Sequence, residues 1–95
     1  MKQFHIICNL KTATGLTKLA VFHVGTAHKF AYDLFSKLNG NPVSNEGSIL
    51  SMDLVELENG LPKNLDIIEC TLDDLAKNCK LITKEVFKQY ALSGN

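Results

Sequence analysis

The sequence predicts an α+β fold of element order ββαββαα, a four-stranded antiparallel sheet in the spatial order 2-1-3-4 with helices packed mainly on one face. Three observations point there. Residues 3–10 and 17–24 alternate with the two-residue period of a strand. Residues 26–39, TAHKFAYDLFSKLN, place Ala27, Phe30, Ala31, Leu34, Phe35 and Leu38 at the spacing of one helix face. A second pair of strand patterns, 48–58 and 65–71, then leads into two helical ones.

In the first strand, Phe4, Ile6, Cys8 and Leu10 share one face, and Gln3, His5, Ile7 and Asn9 the other. Turn residues at 11–15, KTATG, join it to the second strand, so the two form a hairpin. There Ala20, Phe22 and Val24 oppose Leu19, Val21 and His23. For the helix at 26–39, Thr26 stands where an N-cap belongs and Asn39-Gly40 where a left-handed stop belongs, with Pro42 preventing resumption. Phe30, Leu34 and Leu38 are expected to pack on Ile6, Phe22, Leu50 and Leu54. The polar connection 40–47, GNPVSNEG, reads as the most mobile loop.

The third strand, 48–58, is apolar on both faces, with Leu50, Met52 and Leu54 against Ile49, Val55 and Leu57. Asn59-Gly60 has the composition of a tight turn, but Pro62 cannot donate into a ladder. A longer loop over 59–64 is therefore expected before the fourth strand, 65–71, which the proline places at an edge. Thr71 and Asp74 have capping-box spacing and open a short helix through Leu75, Ala76 and Cys79. A second helix, 83–92, places Val86, Phe87 and Tyr90 together, and the tail 93–95 should fray. A crossover of right-handed sense makes the second and third strands parallel in direction, which leaves room for the first between them.

Ninety-five residues with 45% apolar content suit one domain, 1–95, that needs neither disulfides nor a metal to hold its core. Ten lysines balance ten acids without a single arginine, the side chain best suited to bidentate phosphate or guanine recognition, so nucleic-acid binding is disfavoured. The charges are segregated. Residues 1–37 hold five lysines against Asp33, residues 38–76 eight acids against Lys63, and residues 77–88 four lysines against Glu85. Either opposite charges neutralise each other within one sheet, or they form a charged docking surface. The apolar run at the start is far too short for a signal peptide or a membrane span, and Cys8, Cys70 and Cys79 form no CxxC pair. A reduced, cytoplasmic protein without membrane association is expected.

No catalytic, metal or nucleotide motif stands out. His23 to His28 runs from a strand end into a helix N-terminus, where Gly25, Thr26 and His28 could meet an anion, although Thr26 as a cap and Gly25 as a turn explain the same residues. His5 and Cys8 project from opposite strand faces, unlike zinc ligands, and the thiols read as small core hydrophobes. Asp53 and Glu69 could share a face of the second hairpin and hold a divalent cation or act as an acid/base pair, though a solvated acidic face is the commoner meaning. No cofactor is implied.

Ile7, Leu19, Val21, Val55, Leu57 and Ile67 are left on the sheet face away from the first helix. Exposed together they would form a patch of roughly several hundred Å², typical of an interaction site. The cover is either the chain's own C-terminal helix, through Val86, Phe87 and Tyr90, or a second subunit or protein partner. A non-catalytic interaction or regulatory domain, self-associating as a homodimer, is the function this pattern fits best. A small anion or metabolite binder at the 26–39 helix and a carboxylate-based metal enzyme on the 48–71 hairpin are its rivals.

Overall fold

The computed structural model describes residues 2–42 and 49–93. Most of the 40–47 connection, the expected start of the third strand at Ser48, and the last two tail residues lie outside the described residues. The elements run β1 (Lys2–Thr12), β2 (Gly15–Gly25), α1 (His28–Ser36), β3 (Leu50–Glu58), β4 (Leu61–Cys70) and α2 (Leu72–Ser93). The sheet has the expected order β2-β1-β3-β4, and every neighbouring pair is antiparallel.

The first hairpin is longer than its alternation suggests. Thr12 pairs with Gly15, whose carbonyl accepts a 2.9 Å hydrogen bond from the Thr12 hydroxyl. The ladder shifts register twice, between Cys8 and Asn9 and between Phe4 and His5. The first shift leaves Leu19 as an extra residue of β2 and brings His23 opposite His5.

α1 is shorter than the apolar stripe predicted. Its N-cap is Ala27 rather than Thr26, with no side-chain cap, and its last residue is Ser36. The end is tightened by bonds of the 3₁₀ kind, from the Lys37 N–H to the Leu34 carbonyl and from the Leu38 N–H to the Phe35 carbonyl, at 3.0 and 3.1 Å. Neither Asn39 nor Gly40 is left-handed. Gly40 has another reason to be glycine. A Cβ there would come within 2.9 Å of both the Glu69 carbonyl and the Ile68 side chain, because Asn41 pairs with Glu69 beside β4.

The second hairpin closes on Asn59 and Gly60, both at positive φ, 55° and 80°. This corrects the longer loop expected over 59–64. Pro62 instead sits inside β4 opposite Leu57, which an edge strand tolerates because its outer N–H positions carry no ladder bond.

α2 is one continuous helix of 22 residues in place of the two short ones expected. The Thr71–Asp74 capping box is present in both directions, at 3.0 and 3.1 Å. At the supposed break Thr83 donates its hydroxyl to the Cys79 carbonyl four residues back, at 2.8 Å, so it continues the helix instead of starting one. Ile82, beside it, is wholly buried. Among the described residues no helix is long and apolar enough to cross a membrane.

One buried cluster joins Phe4, Ile6 and Cys8 of β1, Val24 of β2, Met52 and Leu54 of β3 and Cys70 of β4 to Ala31, Leu34 and Phe35 of α1 and Ile82 of α2. Burial of each large side chain here contributes roughly 1.5–3 kcal/mol. Phe30 and Leu38, expected among the most buried, are only half-buried at its rim with Phe22, Leu50 and Val86. Val55 is buried without belonging to this cluster.

Candidate functional site

The register fixes what stands beside what on the sheet face that alternates with the core residues. One row across the strands reads Val21, Ile7, Asp53, Ile67, and the next reads His23, His5, Val55, Asn64. Alternation thus brings five of the six apolar residues singled out in the sequence, Ile7, Val21, Val55, Leu57 and Ile67, to one side of the sheet, while the sixth, Leu19, is the unpaired bulge residue next to Lys18 of that face. Their exposure is uneven. Leu19, Val21 and Ile67 are 50%, 38% and 37% exposed, Ile7 and Leu57 are half-buried, and Val55 is only 7% exposed between its neighbours.

A carboxylate stands among them. Asp53 lies between Ile7 and Ile67, and its Oδ2 accepts a 3.3 Å hydrogen bond from the Asn64 side chain. Its Oδ1 is buried and has no hydrogen-bond partner among the described residues. Burial pushes the Asp53 carboxyl above the ordinary aspartate value, with the neighbouring Asn64 and Asn9 side chains offsetting part of the rise. Glu69 lies opposite Ser51, diagonal to Asp53, as the second-hairpin pairing suggested. Among the described residues, however, no group of three or more His, Cys, Asp or Glu comes together.

The residues considered for an anion are divided. Gly25 and Thr26 line two adjoining cavities, of about 270 and 290 Å³, and Tyr90 of α2 walls both. His28 lines neither, its ring lying edge-on to Phe4, at 5.7 Å between centroids, and tilted against Tyr32 at 4.3 Å. The first cavity has two other imidazoles in its wall, His5 and His23. His23 Nδ1 and His5 Nε2 are 3.0 Å apart, with the rings crossed at 77°. His5, expected as a solvated strand residue, is half-buried against this partner. Burial, His23 and Lys18 together lower its basicity.

The three thiols are free, with Cys8 and Cys70 buried and Cys79 half-buried. Burial raises all three above the ordinary thiol value, Cys70 to about 11, the opposite of what a nucleophile requires.

No protein-family model, curated protein or solved structure matches this chain.

Proposed function

We propose that this chain is a small non-catalytic interaction domain that self-associates through the sheet face bearing Ile7, Leu19, Val21, Leu57 and Ile67. One observation carries the reading. The C-terminal helix, the alternative cover for this face, has Ile82 buried in the core cluster and Val86 packed against it, while Phe87 and Tyr90 stay 71% and 58% exposed. Phe87 and Tyr90 reach only one border of the second face, where they line one cavity with Val21 and His23 and another with Gln3, His5 and His23, while Ile7, Leu19, Leu57 and Ile67 line neither.

Charge favours a second copy as the occupant. Lys18 stands at the β2 edge and Glu69 at the β4 edge of the same row, separated by Asn9 and Ser51. A two-fold axis parallel to the strands lays the β2 edge of one copy over the β4 edge of the other and so opposes unlike charges at both ends. Such exposed pairs set the alignment more than the affinity. The apolar rows between them supply the attraction.

Light scattering at micromolar concentration tests this. The expected result is a dimer that Val21→Asp and Leu19→Asp each convert to monomer with an unchanged circular dichroism spectrum. Both sites are exposed enough to accept a charge without unfolding, whereas Val55→Asp places one at a buried position. A wild-type monomer would remove the reading. The small-anion reading keeps one point in its favour, since α1 has neither a side-chain cap nor an acid in its first turn. Phosphate-dependent stabilisation would support it, and its absence would dismiss it.

A further inference from the structure

His5 and His23 sit opposite each other in the β1–β2 ladder, so the backbone holds their Cα atoms in place whatever the rings do. Their facing nitrogens, Nε2 and Nδ1, are 3.0 Å apart. Two neutral imidazoles can be that close with one donating its N–H to the lone pair of the other. When the donor ring shifts its proton to its other nitrogen, which faces away from the pair, both facing nitrogens carry lone pairs, and ring rotation that turns them toward one point makes the same two atoms a chelate. Imidazole–metal bonds of about 2.0–2.1 Å spanning that separation enclose an angle of about 95°. That is the angle between adjacent positions of a square or octahedral centre and falls well short of a tetrahedral one.

The surroundings suit an open metal site. A cavity of about 270 Å³ adjoins the pair, with Tyr90 and Gln3 also in its wall, which leaves room for waters to fill the other coordination positions. His28, the remaining histidine, is occupied with Phe4 and Tyr32 and lies outside this cavity wall.

We propose that His5 and His23 form a cross-strand chelate for one divalent transition-metal ion of tetragonal preference, nickel(II) or copper(II), held at the rim of the sheet face beside Val55. Ligand type and angle together make the selection. Two imidazoles suit these ions, hard oxygen-seeking cations such as magnesium gain nothing from them, and a structural zinc site asks for four protein ligands in a tetrahedron. The site belongs to a single chain and does not depend on self-association.

Titration of the whole chain with nickel(II) chloride, followed by calorimetry and by proton NMR of the imidazole ring signals, tests the proposal. One ion per chain is expected, with His5 and His23 broadened together by the paramagnetic ion and His28 left sharp. His5→Gln and His23→Gln, each shown by circular dichroism to be folded, are expected to weaken binding at least tenfold. His28→Gln should leave it unchanged. The same one-to-one ratio is expected in Val21→Asp, which separates this site from any dimer contact. Absence of saturable binding, broadening centred away from His5 and His23, or equal loss in His28→Gln would overturn the proposal.

Discussion

Asn78, wholly buried on α2, grips the main chain of Asn39 from both sides. Its Oδ1 accepts from the Asn39 N–H at 2.7 Å, and its Nδ2 donates to the Asn39 carbonyl at 2.8 Å. The amide thus satisfies a chain that has left α1 without a left-handed stop and has not yet reached its pairing with β4. The sulfurs of Met52 and Cys70 lie on the same Nδ2, at 3.4 and 3.6 Å, so the amide is enclosed by core.

Asn78→Ala removes the partner of the Asn39 N–H, leaves the Asn39 carbonyl only the weak Cys70 thiol at 3.6 Å, and opens a cavity beside Met52. A loss of about 2–4 kcal/mol is expected, from one unpaired and one poorly paired backbone group together with the missing volume. Urea denaturation measures it directly. A loss below about 1 kcal/mol would show that Asn39 finds other partners without cost.

Two glycines separate two kinds of constraint. At Gly40 the backbone is ordinary, but a Cβ meets the Glu69 carbonyl and the Ile68 side chain at 2.9 Å. Gly40→Ala must push the strand-like segment off β4 and should cost about 1–3 kcal/mol. At Gly60 space is open but φ is +80°, so Gly60→Ala should cost about 1 kcal/mol through conformation alone. Equilibrium denaturation of the two variants, with Gly40→Ala the more damaged, checks the distinction.

The sheet order and the division of its faces were legible because alternation in residues 3–10 and 48–58 assigns every side chain to a face. The β1–β2 bulge was legible too, had the parity been followed. A two-residue turn pairs Thr12 with Gly15, which sets Ile6 opposite Val21, an outward residue, unless one residue is inserted. Leu19 is that residue, and it is what aligns His5 with His23. The sequence could not disclose the Asn78 clamp, since an asparagine on a polar-looking helix shows no sign of its burial. Asn39-Gly40 misled for the opposite reason. Their composition is that of a helix stop, while their conformation is set by packing on β4. At Pro62 the turn chemistry of Asn59-Gly60 outweighed proline's lack of a donor because β4 is an edge.

Asp53 gives a pH dependence of definite sign. Its native carboxyl binds a proton more tightly than an ordinary aspartate, whose value is 3.8, so between 3.8 and the raised native value the folded state holds more proton than the unfolded one. Stability therefore falls as pH rises through that window, and the deficit persists at neutral pH. Asp53→Asn, which stays neutral throughout, should be more stable than wild type at pH 7 and should lose this contribution to the acid-side slope. Denaturation midpoints from pH 3 to 7 decide the matter. A variant less stable at pH 7 would mean that the ionised carboxylate has a partner that outweighs its burial.

The thiols provide the last prediction, since they combine burial with titration. Cys8 and Cys70 are buried and Cys79 is half-buried, so a thiol reagent applied to the native protein should modify Cys79 first. Exposure decides that order, and thiolate formation reinforces it, because burial raises Cys70 to about 11 and only the thiolate reacts. The same shift acts on stability. Below pH 9 both folded and unfolded chains keep the Cys70 proton, and the group contributes no pH dependence. Between about 9 and 11 the unfolded chain releases it while the native one retains it, so stability falls as pH rises. Cys70→Ala should remove that part of the alkaline decline, although loss of the sulfur from the core should cost about 1–2 kcal/mol at pH 7. Timed alkylation with mass spectrometry under non-reducing conditions reads the order of reaction. Modification of Cys70 before Cys79, or a Cys70–Cys79 disulfide, would contradict the burial on which the argument depends.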